Sequence, residues 1–113
     1  MMQIHTIKDG GGKLLFIVNH FHSKLEIRDS QEVIHHFIVN TGSFLEVKNA
    51  NEKIMDRIEI NNIFDNSLNV KQKGIVMEVR DFRGVKYYDI KHTGLCIEIF
   101  DINRISISKS NLI

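Results

Sequence analysis

The chain of 113 residues carries 15 Lys and Arg against 14 Asp and Glu, a balance that excludes both a DNA-coating protein and an acidic nucleic-acid mimic. Its length predicts a single domain over residues 1–113, and its 42% hydrophobic and 26% charged residues exclude a disordered chain. No apolar run approaches the roughly 20 residues of a membrane span, and no secretory leader is evident. The only cysteine, Cys96, cannot form an internal disulfide, so we expect a cytoplasmic protein without a membrane partner.

Residues 2–60 mostly alternate between apolar and polar side chains, with the period of two that a half-buried strand produces. Asp9 and the three glycines after it form a strong turn signal, because glycine takes positive φ without strain. A helical turn is considered for residues 51–57. The alternation predicts strands at 2–8, 13–19, 24–28, 44–48 and 57–60.

The C-terminal third predicts four further strands, at 74–80, 85–92, 95–101 and 104–109. Their connections are so short that neighbouring strands must run antiparallel, as in a meander. The alternation places Ile97, Ile99 and Ile107 on the packed face, with Ser108 on the opposite, solvated face. No internal repeat with a period of roughly 20–50 residues is evident.

Residues 29–42 are the exception to the strand pattern. Asp29 with Glu32 forms a potential capping box, and Gly42 is placed to end a helix. A strand remains the alternative, because β-branched residues are mediocre helix formers. The apolar residues between these signals recur with the spacing of a helix face, at Val33, Ile34, Phe37 and Ile38.

These elements together predict a mainly β or α+β fold. The expected architecture is an antiparallel β-sandwich or a strongly curved sheet, with one short helix from about 30 to 40. The alternative is an all-β barrel in which that segment is a strand.

Two histidines and a glutamate follow the second predicted strand with the spacing His20-x-His22-x3-Glu26. Histidines two apart on a strand point the same way and can share one metal ion. The spacing resembles the first motif of the cupin family, whose β-barrel members often hold a metal with two His, one Glu and a later His; His92 is the candidate for that position here. The apolar neighbours of Glu26, however, turn its side chain toward solvent. We therefore expect a polar, metal-free hairpin and keep a cupin-like metalloprotein as the second alternative.

The stretch 79–92 combines basic and aromatic side chains within one predicted hairpin. Basic residues among aromatics on a sheet can bind single-stranded nucleic acid through phosphate contacts and base stacking. Exposed aromatic and arginine side chains also anchor protein interfaces. The residues that we expect to contact a partner are Phe21, Arg80, Phe82, Arg83, Lys86 and Tyr88.

The sequence carries no recognisable catalytic constellation, since it lacks a phosphate-binding glycine loop, a Gly-x-Ser-x-Gly motif and a paired-cysteine zinc pattern. Ala50 is the only alanine and isoleucine is abundant, a bias toward AT-rich codons that is associated with mobile elements. We therefore expect a small non-enzymatic protein, without a cofactor, that occludes a protein partner, such as an immunity protein or a phage-encoded inhibitor of a bacterial defence system. A module that binds single-stranded nucleic acid is the first alternative, and the oligomeric state is left open.

Overall fold

A computed structural model describes residues 2–61 and 64–111 and shows a protein built from β-strands. Within these residues eleven antiparallel strands form two sheets, and there is no helix that could span a membrane. The first sheet contains, side by side in chain order, β1 (Met2–Lys8), β2 (Leu14–Phe21), β3 (Lys24–Asp29), β4 (Ile34–Asn40), β5 (Phe44–Asn49) and β6 (Ile54–Glu59). The second sheet contains, also in chain order, β7 (Asn69–Lys73), β8 (Val76–Arg80), β9 (Lys86–Thr93), β10 (Cys96–Asp101) and β11 (Ser106–Asn111).

The inner faces of the two sheets pack against each other and share one hydrophobic core. Each sheet remains open, with β1 and β6 at the edges of the first sheet and β7 and β11 at the edges of the second. The prediction of an antiparallel β-sandwich is therefore confirmed, and the alternative of a closed barrel is wrong. The largest fully buried side chains come from both sheets and include Phe16, Leu25, Ile38, Met77, Tyr88 and Ile99.

Five of the strand connections share one five-residue turn that begins with Asp or Asn. In each turn, Oδ1 of the first residue accepts hydrogen bonds of 2.8–3.0 Å from the backbone N–H groups of the third and fifth residues. The fourth residue has a positive φ between 62° and 86°. We call this the Asx turn, and it closes hairpins 1 to 5, whose turns begin at Asp9, Asp29, Asn49, Asp81 and Asp101.

Each of these hairpins also has a β-bulge two residues beyond its turn. One residue of the second strand has no cross-strand partner there, and this extra residue reverses the alternation of the strand. The residue that follows it therefore faces the other sheet. The extra residues are Leu15, His35, Met55, Tyr87 and Ile107, and the residues that follow them are Phe16, His36, Asp56, Tyr88 and Ser108.

The five hairpins are copies of one structural unit. The Asx turns of hairpins 1, 2 and 3 begin 20 residues apart, and so do those of hairpins 4 and 5. Four of the five also carry a glutamate three residues before the turn, at Glu26, Glu46, Glu78 and Glu98. The expectation that the chain has no internal repeat is therefore wrong. The repeat is hard to see in the sequence because the unit fixes only a few residues and otherwise constrains only the apolar alternation.

The predicted helix between 30 and 40 is strand β4, at the centre of the first sheet between β3 and β5. A central strand that is covered on both faces is apolar on both, so it lacks clean alternation. Phe37 lies on the outer face yet is only 7% exposed, with Lys24 Nζ 4.8 Å from its ring centroid. The extra residue His35 also shifts the alternation of inward and outward side chains within β4. The apolar residues of the strand therefore recur with the spacing of a helix face.

The signals interpreted as helix caps belong to turns. Asp29 and Glu32 are the first and fourth residues of the Asx turn of hairpin 2, and Glu32 has a φ of 63°. Gly42, with a φ of 94°, lies between β4 and β5. The helical turn considered for residues 51–57 is also wrong, because β6 begins at Ile54.

Ser108 faces the core, although the alternation predicted it on the solvated face. The bulge at Ile107 is the reason, since it places Ser108 opposite Ile99 of the inner face. Strand β7 was not predicted, because Asn69–Lys73 is polar at four of its five positions and carries no alternation signal. The other strands lie within a few residues of their predicted bounds.

Two of the polar pairs that join the sheets use residues that follow a bulge, and a third, between His35 and Ser110, uses the extra residue of a bulge. Ser108 Oγ of hairpin 5 donates to His36 Nδ1 of hairpin 2 at 3.4 Å, while His36 Nε2 donates to the Ile97 carbonyl at 3.3 Å. Tyr88 of hairpin 4 donates to Asp56 Oδ2 of hairpin 3 at 2.6 Å. The repeated bulge thus positions the polar contacts that hold one sheet against the other.

We predict that stability falls in mild acid because of His36. Burial, with a smaller effect of His35, lowers the pKa of His36 from 6.5 to about 4. Between about pH 6.5 and about pH 4, His36 binds a proton in the unfolded chain but not in the folded protein. The free energy of unfolding therefore decreases as the pH falls through this range, by roughly 3 kcal/mol at most. Urea denaturation between about pH 7 and about pH 5 measures this slope. Burial also lowers the pKa values of His5 and His20, which add to the slope in the same direction.

The His36→Gln variant is expected to reduce this slope. Ser108→Ala is the matched control, because it removes the hydroxyl partner at a cost of about 1 kcal/mol at every pH and leaves the imidazole to titrate. An unchanged slope in His36→Gln would contradict the assignment.

A second prediction concerns the pair in hairpins 3 and 4. Tyr88→Phe leaves Asp56 Oδ2 without its donor and is expected to lower the free energy of unfolding by about 2 kcal/mol. Tyr87→Phe is the control, because the Asp81 carboxylate that accepts from Tyr87 keeps its bonds to Arg83. Equal losses in the two variants by urea denaturation would mean that the inter-sheet pair has no special role.

Candidate functional site

The histidines of the proposed metal motif lie beside a polar cleft of about 250 Å³ between the two sheets. His20 is on the inner face of β2, and its Nδ1 lies 3.3 Å from Nε2 of His5. Burial lowers the pKa of both imidazoles. His22 follows in the next turn, where its backbone carbonyl accepts the N–H of Leu68 and its ring lies 3.7 Å from Asp65. The backbone contact ties the start of β7 to the first sheet.

The four residues of the cupin-like set do not form one site. Glu26 lies on the outer face of β3, away from His20, and accepts a 2.9 Å hydrogen bond from Arg28. His92 belongs to the second sheet, opposite Ile97. In the part of the chain that the structure describes, no group of three or more His, Cys, Asp or Glu side chains is placed to hold a metal ion. The expected outward orientation of Glu26 is confirmed.

The residues predicted at the tip of hairpin 4 are held by their own turn. Both Nε and Nη2 of Arg83 donate to Asp81 Oδ2, at 2.9 and 2.6 Å. Burial by itself raises the pKa of Asp81, but hydrogen bonds from Arg83, Val85 and Tyr87 outweigh it and hold that pKa below its usual value. Phe82 is half-buried, with the Arg83 guanidinium 5.8 Å from its ring centroid. The Arg83 guanidinium is therefore paired with the Asp81 carboxylate within the turn.

The other predicted contact residues lie in three different places. Phe21 is 39% exposed on the outer face of β2, next to edge strand β1. Tyr88 is fully buried, so its selection as an exposed anchor is wrong; the bulge at Tyr87 turns it into the core. Arg80 and Lys86 are cross-strand neighbours on the outer face of the second sheet. Lys86 also lines a concave surface on this face.

A groove of about 460 Å³ crosses the outer face of the second sheet. Its lining contains four basic and two acidic side chains, a formal charge of +2, together with one aromatic ring. We call it the basic groove. Its basic residues are Lys73, Lys86, Lys91 and Arg104.

The acidic side chains lie at the bottom of the basic groove. Glu78 is 6% exposed and accepts a 2.6 Å hydrogen bond from Arg80, while Lys73 and Lys86 lie 3.6 Å from its other oxygen. The Arg80 hydrogen bond lowers the pKa of Glu78, burial opposes this, and the charges of Lys73 and Lys86 lower it further. Lys86 also lies 2.8 Å from Asp89. The carboxylates hold the cations in place, and the side chain of Lys73 remains 59% exposed.

Lysines continue across the whole second sheet. Lys73, Lys91 and Lys109 lie in one cross-strand row on β7, β9 and β11, with Val76 and Glu98 between them. Alternate strands are roughly 10 Å apart, so the three lysines are regularly spaced. Next to this row, Lys91 Nζ lies 5.3 Å from the ring centroid of Phe100, the aromatic residue of the groove.

Hairpin 5 departs from the repeat at two positions, and both side chains line the basic groove. The residue before the Asx turn is basic in the first four hairpins and is Phe100 in the fifth. The fourth turn residue is Gly or Glu in the first four hairpins and is Arg104 in the fifth. Because the other copies show that the fold accepts different residues at these positions, we expect that the fold does not require Phe100 and Arg104. The basic residues of the first four hairpins are Lys8, Arg28, Lys48 and Arg80.

Hairpin 4 departs from the first three at a neighbouring position. In hairpins 1, 2 and 3 the basic residue before the turn faces Leu14, Ile34 or Ile54 across the strands. In hairpin 4 it faces Lys86. Like charges directly opposite are destabilising, so this pair has a cost that Glu78 and Asp89 must offset. Lys86 lines the same groove as Phe100 and Arg104.

Sequence reasoning found Lys86 but missed the rest of the basic groove. Its residues come from β7, β8, β9, β10 and one turn, so no local motif unites them. The sequence feature that could have located the groove is the 20-residue spacing of the Asx turns. Aligning the hairpins on that spacing would have identified Phe100 and Arg104 as departures.

The chain matches no protein-family model, and no curated protein and no solved structure is significantly similar to it. Its class is therefore defined by the structure, as an open β-sandwich of repeated Asx-turn hairpins with a basic groove on the second sheet.

Restoring the shared pattern in hairpin 5 is predicted to leave the fold intact. The double variant Phe100→Lys/Arg104→Glu gives hairpin 5 the residue types that hairpin 3 has at the equivalent positions, Lys48 and Glu52. Glu52 and Arg104 both have a positive φ. We expect the free energy of unfolding in urea to change by less than about 1 kcal/mol, as for other surface substitutions. A loss above roughly 2 kcal/mol would show that the fold needs these residues and would remove the reason to assign them to function.

Proposed function

We propose that the protein is a non-enzymatic binding protein that occludes an acidic surface of a protein partner with the basic groove. The observation that carries the proposal is the convergence of the departures from the repeat. Phe100, Arg104 and Lys86 each differ from what equivalent positions accept elsewhere, and all three line one groove. Aromatic and arginine side chains are the residues that most often dominate binding energy at protein interfaces.

The charge distribution favours a protein partner over a nucleic acid. Glu78 and Asp89 at the bottom of the groove repel a phosphate chain, whereas a protein surface can offer carboxylates to the lysines and apolar atoms to Phe100. Stacking of bases requires exposed rings. Of the tyrosines of hairpin 4, Tyr88 is buried and Tyr87 is hydrogen-bonded to Asp81, which leaves Phe100 as the one ring that lines the groove.

Occlusion requires only a surface that excludes the normal partner of the target. Immunity proteins and phage-encoded inhibitors of bacterial defence systems act in this way, and the codon bias associated with mobile elements supports that assignment. The lysine row of Lys73, Lys91 and Lys109 adds long-range attraction for an acidic target and speeds encounter at low ionic strength.

The test compares proteins captured by three immobilised forms from a lysate of the encoding organism. The forms are the unmodified chain, Phe100→Lys/Arg104→Glu, and the control Lys48→Phe/Glu52→Arg, which makes the reciprocal exchange at the same positions of hairpin 3. We expect a protein that the unmodified chain and the control retain and that the hairpin 5 variant loses, with affinity at least tenfold weaker. Equal capture by all three forms would contradict the proposal.

A second arm uses single-stranded oligonucleotides as the probe. We expect no binding to the unmodified chain at physiological salt. Binding that weakens steeply with added salt, and that is lost when Arg80, Arg83 and Lys86 are reversed in charge, would instead support the nucleic-acid alternative and overturn the proposal.

A further inference from the structure

We infer that edge strand β1 pairs with β1 of a second copy of the chain, which joins two first sheets into one continuous sheet. An edge strand presents a row of unpaired backbone N–H and C=O groups that invites pairing. Proteins usually prevent this with charged side chains on the edge. The four sheet edges of this protein therefore differ in a way that can be compared directly.

Among the four edge strands that the structure describes, only β1 lacks this protection over most of its length. It carries no Asp, Glu, Lys or Arg from Met2 to Ile7. The β7 edge carries Lys71 and Lys73, and the β11 edge carries Lys109 in mid-strand. The β6 edge carries acidic and basic residues, at Asp56, Arg57 and Glu59.

Strand β1 pairs with β2 without a register shift from Met2 to Ile7, and its outer face is exposed. Seven of its residues pair with β2, from Met2 opposite Phe21 to Lys8 opposite Leu14. Met2 is 45% and Ile4 61% exposed, and Phe21 beside them is 39% exposed. These three residues form an apolar patch that reaches the free edge of the sheet. Phe21 belongs to this patch on the first sheet, whereas the basic groove lies on the second sheet.

A second copy suits this edge because the strand is complementary to itself. In an antiparallel pair centred on Ile4, the uncharged half of one strand lies along the uncharged half of the other. The outer residues Met2, Ile4 and Thr6 then meet outer residues of the partner, with Ile4 opposite its own copy. On the inner face, the Gln3 amide meets the His5 imidazole of the other copy, a polar pair that can share a hydrogen bond. Sheet alternation is preserved across the junction.

The test is the mass of the purified protein by light scattering from about 5 to about 500 µM, since a weak dimer depends on protomer concentration. We expect the mass to rise toward twice that of one chain. Ile4→Lys places two like charges opposite each other in the dimer and is expected to weaken association at least tenfold. Leu95→Lys is the control, because Leu95 is 76% exposed in a turn of the second sheet; it should associate like the unmodified chain.

Hydrogen exchange supplies a measurement that needs no substitution. Amides of β1 should exchange more slowly as concentration rises, while amides of β6, β7 and β11 should not change. A mass of one chain at every concentration, association that Ile4→Lys leaves intact, or equal weakening by both lysine variants would each overturn the inference.

Discussion

The Asx turn is the constraint on which the rest of the structure depends. One side-chain oxygen accepts two backbone N–H groups, and this arrangement fixes a left-handed fourth residue and closes the hairpin. The bulge that follows reverses the alternation of the second strand, so the next residue faces the opposite sheet. In this way a local hydrogen bond determines which side chains form the core and which join the sheets. His36 and Ser108, and Tyr88 and Asp56, meet because each follows such a bulge.

Repetition of the hairpin separates what the fold requires from what it permits. Apolar inner residues and the Asx residue recur in all five copies, so they are explained by folding alone. Three residues differ from those at the equivalent positions of the other hairpins, and all three line the basic groove: Lys86, Phe100 and Arg104. Strand β1 differs from the other edge strands because it carries no Asp, Glu, Lys or Arg from Met2 to Ile7. The two surfaces lie on different sheets, so a dimer through β1 leaves the basic groove open.

Much of the fold could be predicted from the sequence, because alternation with a period of two identified, within a few residues, nine of the eleven strands found in residues 2–61 and 64–111. The failures have two physical causes. Bulges at His35 and Ile107 shift the alternation, which imitated a helix in β4 and misplaced Ser108. Strand β7 is polar at four of its five positions and carries no alternation signal. The groove could not be predicted because its residues become neighbours only when five elements pair in register. Lys86 is the one groove residue among those predicted from the sequence to contact a partner.

The most direct test of this account is the free energy of unfolding of five single variants that replace each Asx residue by alanine. Each side chain accepts two N–H hydrogen bonds, so every variant should lose about 1–2 kcal/mol, with larger losses where the second carboxylate oxygen also bonds His35 or Tyr87. A loss confined to one or two turns would contradict the claim that a single repeated unit supports the fold. The variants are Asp9→Ala, Asp29→Ala, Asn49→Ala, Asp81→Ala and Asp101→Ala.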